Sequence, residues 1–297
     1  MRLFGGIEIM SLKTILVPLN GSDTDPVALT AALGVARRFG AHADALFVRL
    51  DPRDAVPMLG EGMSGAMVDE IMRAAEGEAN AHLTVARRHF QDAVAAAGIT
   101  VSEAPKAGDE PTAGWRDLVG RGEEVVPQEG RLADLMVFAH PALDKDAQTY
   151  VTVETALLGC GRPLLLAPKD LPAEIGRTVA LAWNGSAESA CAVAGAMPFL
   201  KKADAVHVLT AETSVTSAAA GRRIADYLTW HGVACEITIL KPASDPVGKT
   251  LSDRAVAIGA DLLVMGGYGH SRMREMILGG VTRYMLSHAG LPVLMAH

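Results

Sequence analysis

The stretch GGYGHSRMREMILGGVTR, residues 266–283, carries glycines at 266, 267 and 269 and again at 279 and 280. Lacking a Cβ, Gly266 and Gly269 would let a phosphate or ribose lie against the backbone and let the chain take positive φ. Gly279 and Gly280 precede VTRYMLSHAG, which reads as a helix ending at Gly290 with Pro292 beyond. A helix start of this kind turns unpaired N–H groups toward an anion. Thr282 adds a hydroxyl in the first turn, and Arg272, Arg274 and Arg283 add positive charge. These residue types suit an oligophosphate. They also suit two turns flanking a helix, because glycine is a common residue at strand ends. The segment is neither a Walker A loop nor the G-x-G-x-x-G fingerprint that follows a first strand.

The elements that must position this segment come from an internal repeat. KTILVPLNGS begins at Lys13 and RTVALAWNGS at Arg177, so Asn20-Gly21-Ser22 matches Asn184-Gly185-Ser186. The ends of the halves also match, each with Ala-Asp, an apolar run, a helical segment, Gly-x-Pro and a last apolar run. KDLPAEIGR, residues 169–177, reads as the linker. Domains are expected at 11–169 and 176–297.

In the first half, strands are expected near 13–19, 43–49, 99–104, 134–139 and 163–167, and helices near 25–39, 67–97, 111–131 and 149–160. Met67, Ile71, Ala75, Ala79, Leu83, Ala86, Phe90, Val94 and Ala97 give the long helix one apolar stripe. In the second half, strands are expected near 177–183, 204–210, 234–240, 261–265 and 292–296, with a shorter helix near 217–231. Short apolar strands alternating with helices predict an α/β fold of two tandem doubly wound domains, each a five-stranded parallel sheet flanked by helices. In such a sheet the crevice lies at the carboxyl ends of the strands where the winding reverses. That places Asn184, ending the first strand of its half, opposite Gly266, ending the fourth.

The 297 residues are 49% hydrophobic but only 4% aromatic, which suits cores of small aliphatic side chains between sheet and helix. A net charge of −7 argues against a general grip on nucleic acid. No apolar run is long enough to span a bilayer. Cys160, Cys191 and Cys235 lack metal-ligand spacing and read as small buried residues of a reducing, cytoplasmic protein. Met10 is an alternative start, which would leave residues 1–9 as an extension or a loose tail.

The spacing Gly266-x-x-Gly269, nine residues, then Gly279 resembles the nucleotide-binding loop of the universal stress protein family, as ILVPLNGS resembles its first strand and loop. The resemblance covers both halves. It implies an adenine nucleotide α-hydrolase-like fold, pairing of the two halves through their last strands with a homodimer left open, and ATP, with or without Mg, as the ligand. The implied contacts in the second half are Trp183, Asn184, Met265, Gly266, Gly269, Gly279, Gly280, Val281 and Thr282. Trp183 would stack on the base or serve as a buried aromatic. No catalytic residue is evident, so regulation or interaction is expected and slow ATP hydrolysis is left open.

The chain departs from the family pattern in two places. Gly280 stands where a Ser or Thr is usual, and Asn20 and Asn184 stand where Asp is frequent. The first half has Ala139-His140-Pro141-Ala142 and YVTVE in place of GGYG and GGVTR, so its site is expected to be degenerate. Two other functions compete. An enzyme of the wider superfamily would need Ser-Gly-Gly-x-Asp-Ser or His-x-Gly-His, and neither occurs. A nucleotide-free interaction module would use the glycines for turns alone. His270, beside Ser271, reads as a solvated loop residue, while His140, His288 and His297 have no motif context.

Overall fold

The computed structural model describes residues 11–55, 64–105, 107–144, 147–211, 218–241, 245–269, 280–288 and 290–297. Residues 1–9, His270, Arg272, Arg274 and Gly279 lie outside the described residues.

The first half runs β1 (Thr14–Leu19), α1 (Asp25–Phe39), β2 (His42–Arg49), α2 (Gly65–Ala97), β3 (Thr100–Val101), β4 (Thr112–Val119), α3 (Gly122–Gly130), β5 (Leu135–Ala139), α4 (Ala147–Gly159) and β6 (Leu164–Ala167). The second runs β7 (Thr178–Ala182), α5 (Ala187–Lys202), β8 (Ala205–Ala211), α6 (Ala218–Trp230), β9 (Glu236–Leu240), α7 (Val247–Ala257), β10 (Leu262–Gly266), α8 (Gly280–His288) and β11 (Val293–Ala296). All eleven strands form one sheet in the order β3-β4-β2-β1-β5-β6-β11-β10-β7-β8-β9. Pairing is parallel within each half, and β11 meets β6 antiparallel from Val293↔Leu166 to Met295↔Leu164.

Local chemistry sets the element ends. Pro26 opens α1, and Gly40 closes it in the left-handed conformation. Ser64 caps α2 by accepting from the Met67 amide, and Ser186 caps α5 by accepting from the Ser189 amide. The repeated Ala-Asp has a shared role. The Asp134 carboxylate accepts from the Lys13 and Thr14 amides at 2.8 and 2.9 Å. In the second half, Asp261 accepts from the Gly176 and Arg177 amides at 2.7 and 3.1 Å. Each carboxylate ties the start of its half's first strand to the start of the strand beside it.

Two expectations for the first half need correction. The helix expected over 111–131 is a strand, β4, followed by a shorter helix, α3. Gly114 and Gly120 disfavour a continuous helix, and β4 pairs with β2 along its length from His42↔Thr112 to Arg49↔Val119. A Cβ on Gly114 would lie 2.9 Å from His42 Nε2, so a side chain there would have to displace the His42 ring. Trp115 then packs on Phe90 with ring centroids 5.6 Å apart. As a result the strand expected near 99–104 shrinks to β3 at the sheet edge, and the described residues of the first half form six strands where five were expected. The apolar stripe of α2 is also only partly buried. Met67 is exposed, and full burial is reached only at Ala86, Phe90 and Val94. A 33-residue helix is about 50 Å long and overruns its strands.

One core layer packs α1, α2, α5 and α6 against one sheet face, and the other packs α3, α4, α7 and α8 against the opposite face. Both layers cross the junction between halves. Phe39 and Phe199 meet edge to face at 4.8 Å. The Arg38 guanidinium donates to the Gly176 and Lys202 carbonyls, and Lys202 Nζ donates back to the Arg38 carbonyl. Cys160 is buried, but Cys191 is exposed, contrary to the expectation for all three thiols. Among the described residues no helix is long and apolar enough to cross a membrane.

Candidate functional site

Strands β7 and β10 are parallel neighbours, with Leu181 opposite Val264. Counting three residues beyond each puts Asn184 level with Gly267 at the carboxyl end of the sheet. The winding reverses here, since β8 and β9 lie to one side of β7 and β10 and β11 to the other. Asn184 is exposed, and its Oδ1 accepts from the Ser186 amide at 3.0 Å, an Asx turn. Asn20 makes the same bond to Ser22 at 3.0 Å. Gly21 and Gly185 both have φ of +80°. The repeated Asn-Gly-Ser is therefore one turn built twice.

The described glycines of the loop sit close to the rest of the chain. A Cβ on Gly266 would lie 2.6 Å from the Ser189 amide, so this glycine lets β10 end against the first turn of α5. One on Gly267 would lie 2.8 Å from Leu157 in the first half, and one on Gly269 would lie 2.8 Å from Glu188 Oε2. Gly280 is different. It is the first described residue of α8, and no described residue lies within 4 Å of where its Cβ would be.

Tyr268 ties these parts together. Its φ is +56°, the only positive value at a non-glycine residue among those described. Its amide donates to Thr282 Oγ1 at 3.0 Å, which draws the strand end to the first turn of α8. The Thr282 hydroxyl is thus buried and committed to the chain's own backbone. The Tyr268 hydroxyl donates to Glu154 Oε1 on α4 at 3.0 Å. Burial, with Tyr150 and Glu154 nearby, pushes this phenol upward and keeps it a donor. His297 Nδ1 lies 3.1 Å from the Gly267 carbonyl.

Met265 is a core residue on the α7/α8 face, and Val281 is half-buried beside it. Trp183 lies on the other face. Its indole Nε1 is buried without a hydrogen-bond partner among the described residues. It lines a cleft of about 430 Å³ with Gly185, Ala190, Val193, Arg223, Ile224 and Tyr227. The cleft exists because α6 is much shorter than α2. In the first half α2 covers the equivalent turn, and a Cβ on Gly21 would lie 2.5 Å from the His82 carbonyl oxygen.

The sequence reading did not anticipate a formed crevice in the first half. A cavity of about 410 Å³ opens at the ends of β1, β2 and β5, between α1, α3 and α4. Asp144 Oδ2 there accepts from Asn20 Nδ2 at 3.1 Å and from Thr149 Oγ1 at 2.8 Å. Asp25 is buried and accepts from the Asn20 and Gly21 amides. Burial raises its carboxyl to about 6 despite those bonds and His89 nearby. The repeat of Asn20 gave a signal for this crevice, but Asp144 and Thr149 carried none. His140, which lacked motif context, proves to be a link between the halves. It is buried, with Nε2 2.6 Å from the Met285 carbonyl on α8 and Nδ1 accepting from the Ala142 amide.

Residues 177–297 match the family model described as the Universal stress protein family. The second half is a universal stress protein domain. The whole chain also shares its fold with the crystal structure of a universal stress protein from Archaeoglobus fulgidus DSM 4304. That likeness has a TM-score of 0.66 at 16% identity, covering 97% of this chain and 99% of that one. A protein of unknown function from Pseudomonas aeruginosa PAO1 follows the same fold with a TM-score of 0.53 at 15% identity, covering 96% of this chain and 92% of that one. At such identities the likeness is one of fold. No curated protein matches the chain.

Proposed function

We propose that the universal stress protein domain, taken as residues 176–297, binds ATP or a related adenine nucleotide in the crevice between β7 and β10. It would act by regulation or interaction rather than by rapid catalysis. The observation that carries this reading is Gly280. It is the first described residue of α8, no described residue lies over it, and the Tyr268–Thr282 bond draws it toward the strand end level with Asn184. A helix N-terminus with no side chain in the way is suited to a phosphate. Gly266, Gly269 and Gly279 would line the approach, Asn184 would meet the nucleoside, and Trp183, Met265, Val281 and Thr282 would shape the walls. The first half, taken as residues 11–169, would hold the second through β6 and β11. The three unpaired thiols suit a reducing cytoplasm.

Gly280→Glu tests the reading directly. The added carboxylate meets none of the described residues, and an acid at a helix N-terminus stabilises by about 0.3–1 kcal/mol. Calorimetric titration should show ATP binding to the wild type and a loss of about tenfold or more in the variant, with Tm maintained. Unchanged ATP affinity in Gly280→Glu would move the nucleotide elsewhere.

A second reading is favoured by the close contacts at Gly266, Gly267 and Gly269, which account for those glycines without a ligand. On that reading the domain is a nucleotide-free interaction module, and millimolar ATP gives no heat with the wild type.

A further inference from the structure

The linker between the halves roofs a cavity of about 310 Å³, at the lower end of the range for small-molecule sites. It lies against the C-terminal half of α1, the end far from the Asn20 turn, and against the last turns of α2. All three segments fall within unbroken stretches of described residues. Its walls are apolar. Ala31, Ala93 and Ala97 are small enough to leave the space, and Leu171 and Ile175 of the linker cross it and reach the core. Gly34 also lines it, with no described atom within 4 Å of where its Cβ would be. The charged group of the site is Arg38, whose side chain is only 10% exposed. Its Nη2 donates to the Gly176 and Lys202 carbonyls at 3.1 and 2.9 Å. Its Nε and Nη1 are buried without a hydrogen-bond partner among the described residues. A guanidinium stays charged and offers donors on all three nitrogens, and unmade bonds to a buried charge are costly. Glu174 covers Nη1 at 3.6 Å and stands at the same distance from Arg177 Nε, beyond hydrogen-bond length in both cases. The Glu174 side chain is 50% exposed, so its carboxylate can turn out into water and uncover Arg38.

We propose that this cavity binds a small monocarboxylate with an apolar body, of the medium-chain fatty acid class, whose carboxylate replaces Glu174 on Arg38. The aliphatic walls take the body, and Nη1 and Nε take the head. A carboxylate exchanges like for like with Glu174, and a charge-assisted bond to arginine is among the stronger ones available. A phosphate ester fits less well. It carries a charge near −2 at neutral pH, and the other groups around Arg38 do not balance the excess. Arg37 donates to the Ala97 carbonyl and Lys202 Nζ to the Arg38 carbonyl. The Gly176 and Lys202 carbonyls face the guanidinium, and Asp261 already interacts with its charge. A ligand seated here touches α1, α2 and the linker together, so it stabilises the seam between the halves.

The test titrates the full chain with sodium octanoate by calorimetry, with 1-octanol and octyl phosphate as controls. Octanoate should bind at one site and raise Tm. The two controls should bind about tenfold or more weakly, since one lacks the charged hydrogen bond and the other carries too much charge. Gly34→Leu should fill the cavity and abolish octanoate binding. Its Tm should be maintained or raised, because leucine is the better helix former. Glu174→Gln removes the competing charge and should tighten octanoate by about threefold. Absence of octanoate binding overturns the proposal, as does either control binding as tightly as octanoate. So does octanoate binding that survives in a folded Gly34→Leu protein. Should Gly34→Leu fail to fold, Glu174→Gln decides, and an unchanged or weaker octanoate affinity there overturns the proposal.

Discussion

Glu188 is the residue that most opposes a nucleotide in the second half. Its Oε2 lies 2.8 Å from where a Cβ of Gly269 would be, beside the loop glycines taken to line the nucleotide site. Glu188 also occupies the first turn of α5, where an acid is favourable. These two effects separate in one variant. Glu188→Gln should tighten ATP binding by about three- to tenfold, since a partly screened like charge is worth about 1 kcal/mol. The same variant should lower unfolding stability by about 0.3–1 kcal/mol through the lost helix-end interaction. Calorimetry and urea unfolding on one preparation check both signs. Looser ATP binding would mean that Glu188 helps to hold the ligand. The glycine pattern was legible in the sequence because its spacing is local. The roles of Glu188 and Thr282 were not. Both depend on the turn at the end of β10, where Tyr268 takes a φ unusual for its type and bonds to Thr282.

At the scale of elements, the strands of the second half were legible although its helix α7 was not, and in the first half the miss is confined to one region, for a reason visible in β4. Strands β7, β8, β10 and β11 are short apolar runs bounded by turn residues, and burial on both faces leaves their pattern little choice. TAGWRDLV has neither strict alternation nor a helical stripe. It becomes a strand because β2 offers eight partners and because Gly114 admits the His42 ring. His42 is held in that place by Thr112 Oγ1 at 2.8 Å from its Nδ1. Gly114→Ala should therefore cost about 1–3 kcal/mol, an overpacking penalty, read as a lower urea midpoint. Adding His42→Ala should recover part of the loss, so that the pair is non-additive. Full additivity would place the strain elsewhere, at the Ser102 carbonyl 3.3 Å away.

At the scale of the molecule, the two halves are joined on both faces of the sheet as well as along it. Phe39 and Phe199 join one face, and His140, Tyr268 and Leu157 join the other, around the antiparallel β6–β11 pair. The Ala-Asp that supplies Asp134 and Asp261 was visible as a repeat, though its bonds were not, whereas these joints involve residues that differ between the halves and so leave no repeated trace. His140 gives its side of the joint a pH dependence. Its Nδ1 accepts a hydrogen bond, so the ring is neutral, with the Nε2 proton donated to Met285. Burial, outweighing that last bond, holds its pKa below the usual histidine value, and His288 acts in the same direction. A depressed histidine pKa leaves stability intact above the unfolded-state value of about 6.5 and removes it as pH falls toward and through the folded-state value. Asp25 runs the other way, since a carboxyl raised to about 6 loses stability as pH rises through that value. The two overlap, so wild-type stability alone does not separate them. The difference between wild type and His140→Phe does, because Asp25 is common to both. Relative to the variant, the wild type should lose stability steadily from pH 7 down to pH 5, read from urea midpoints. A difference that stays constant across that range would show that His140 bears no proton-linked load.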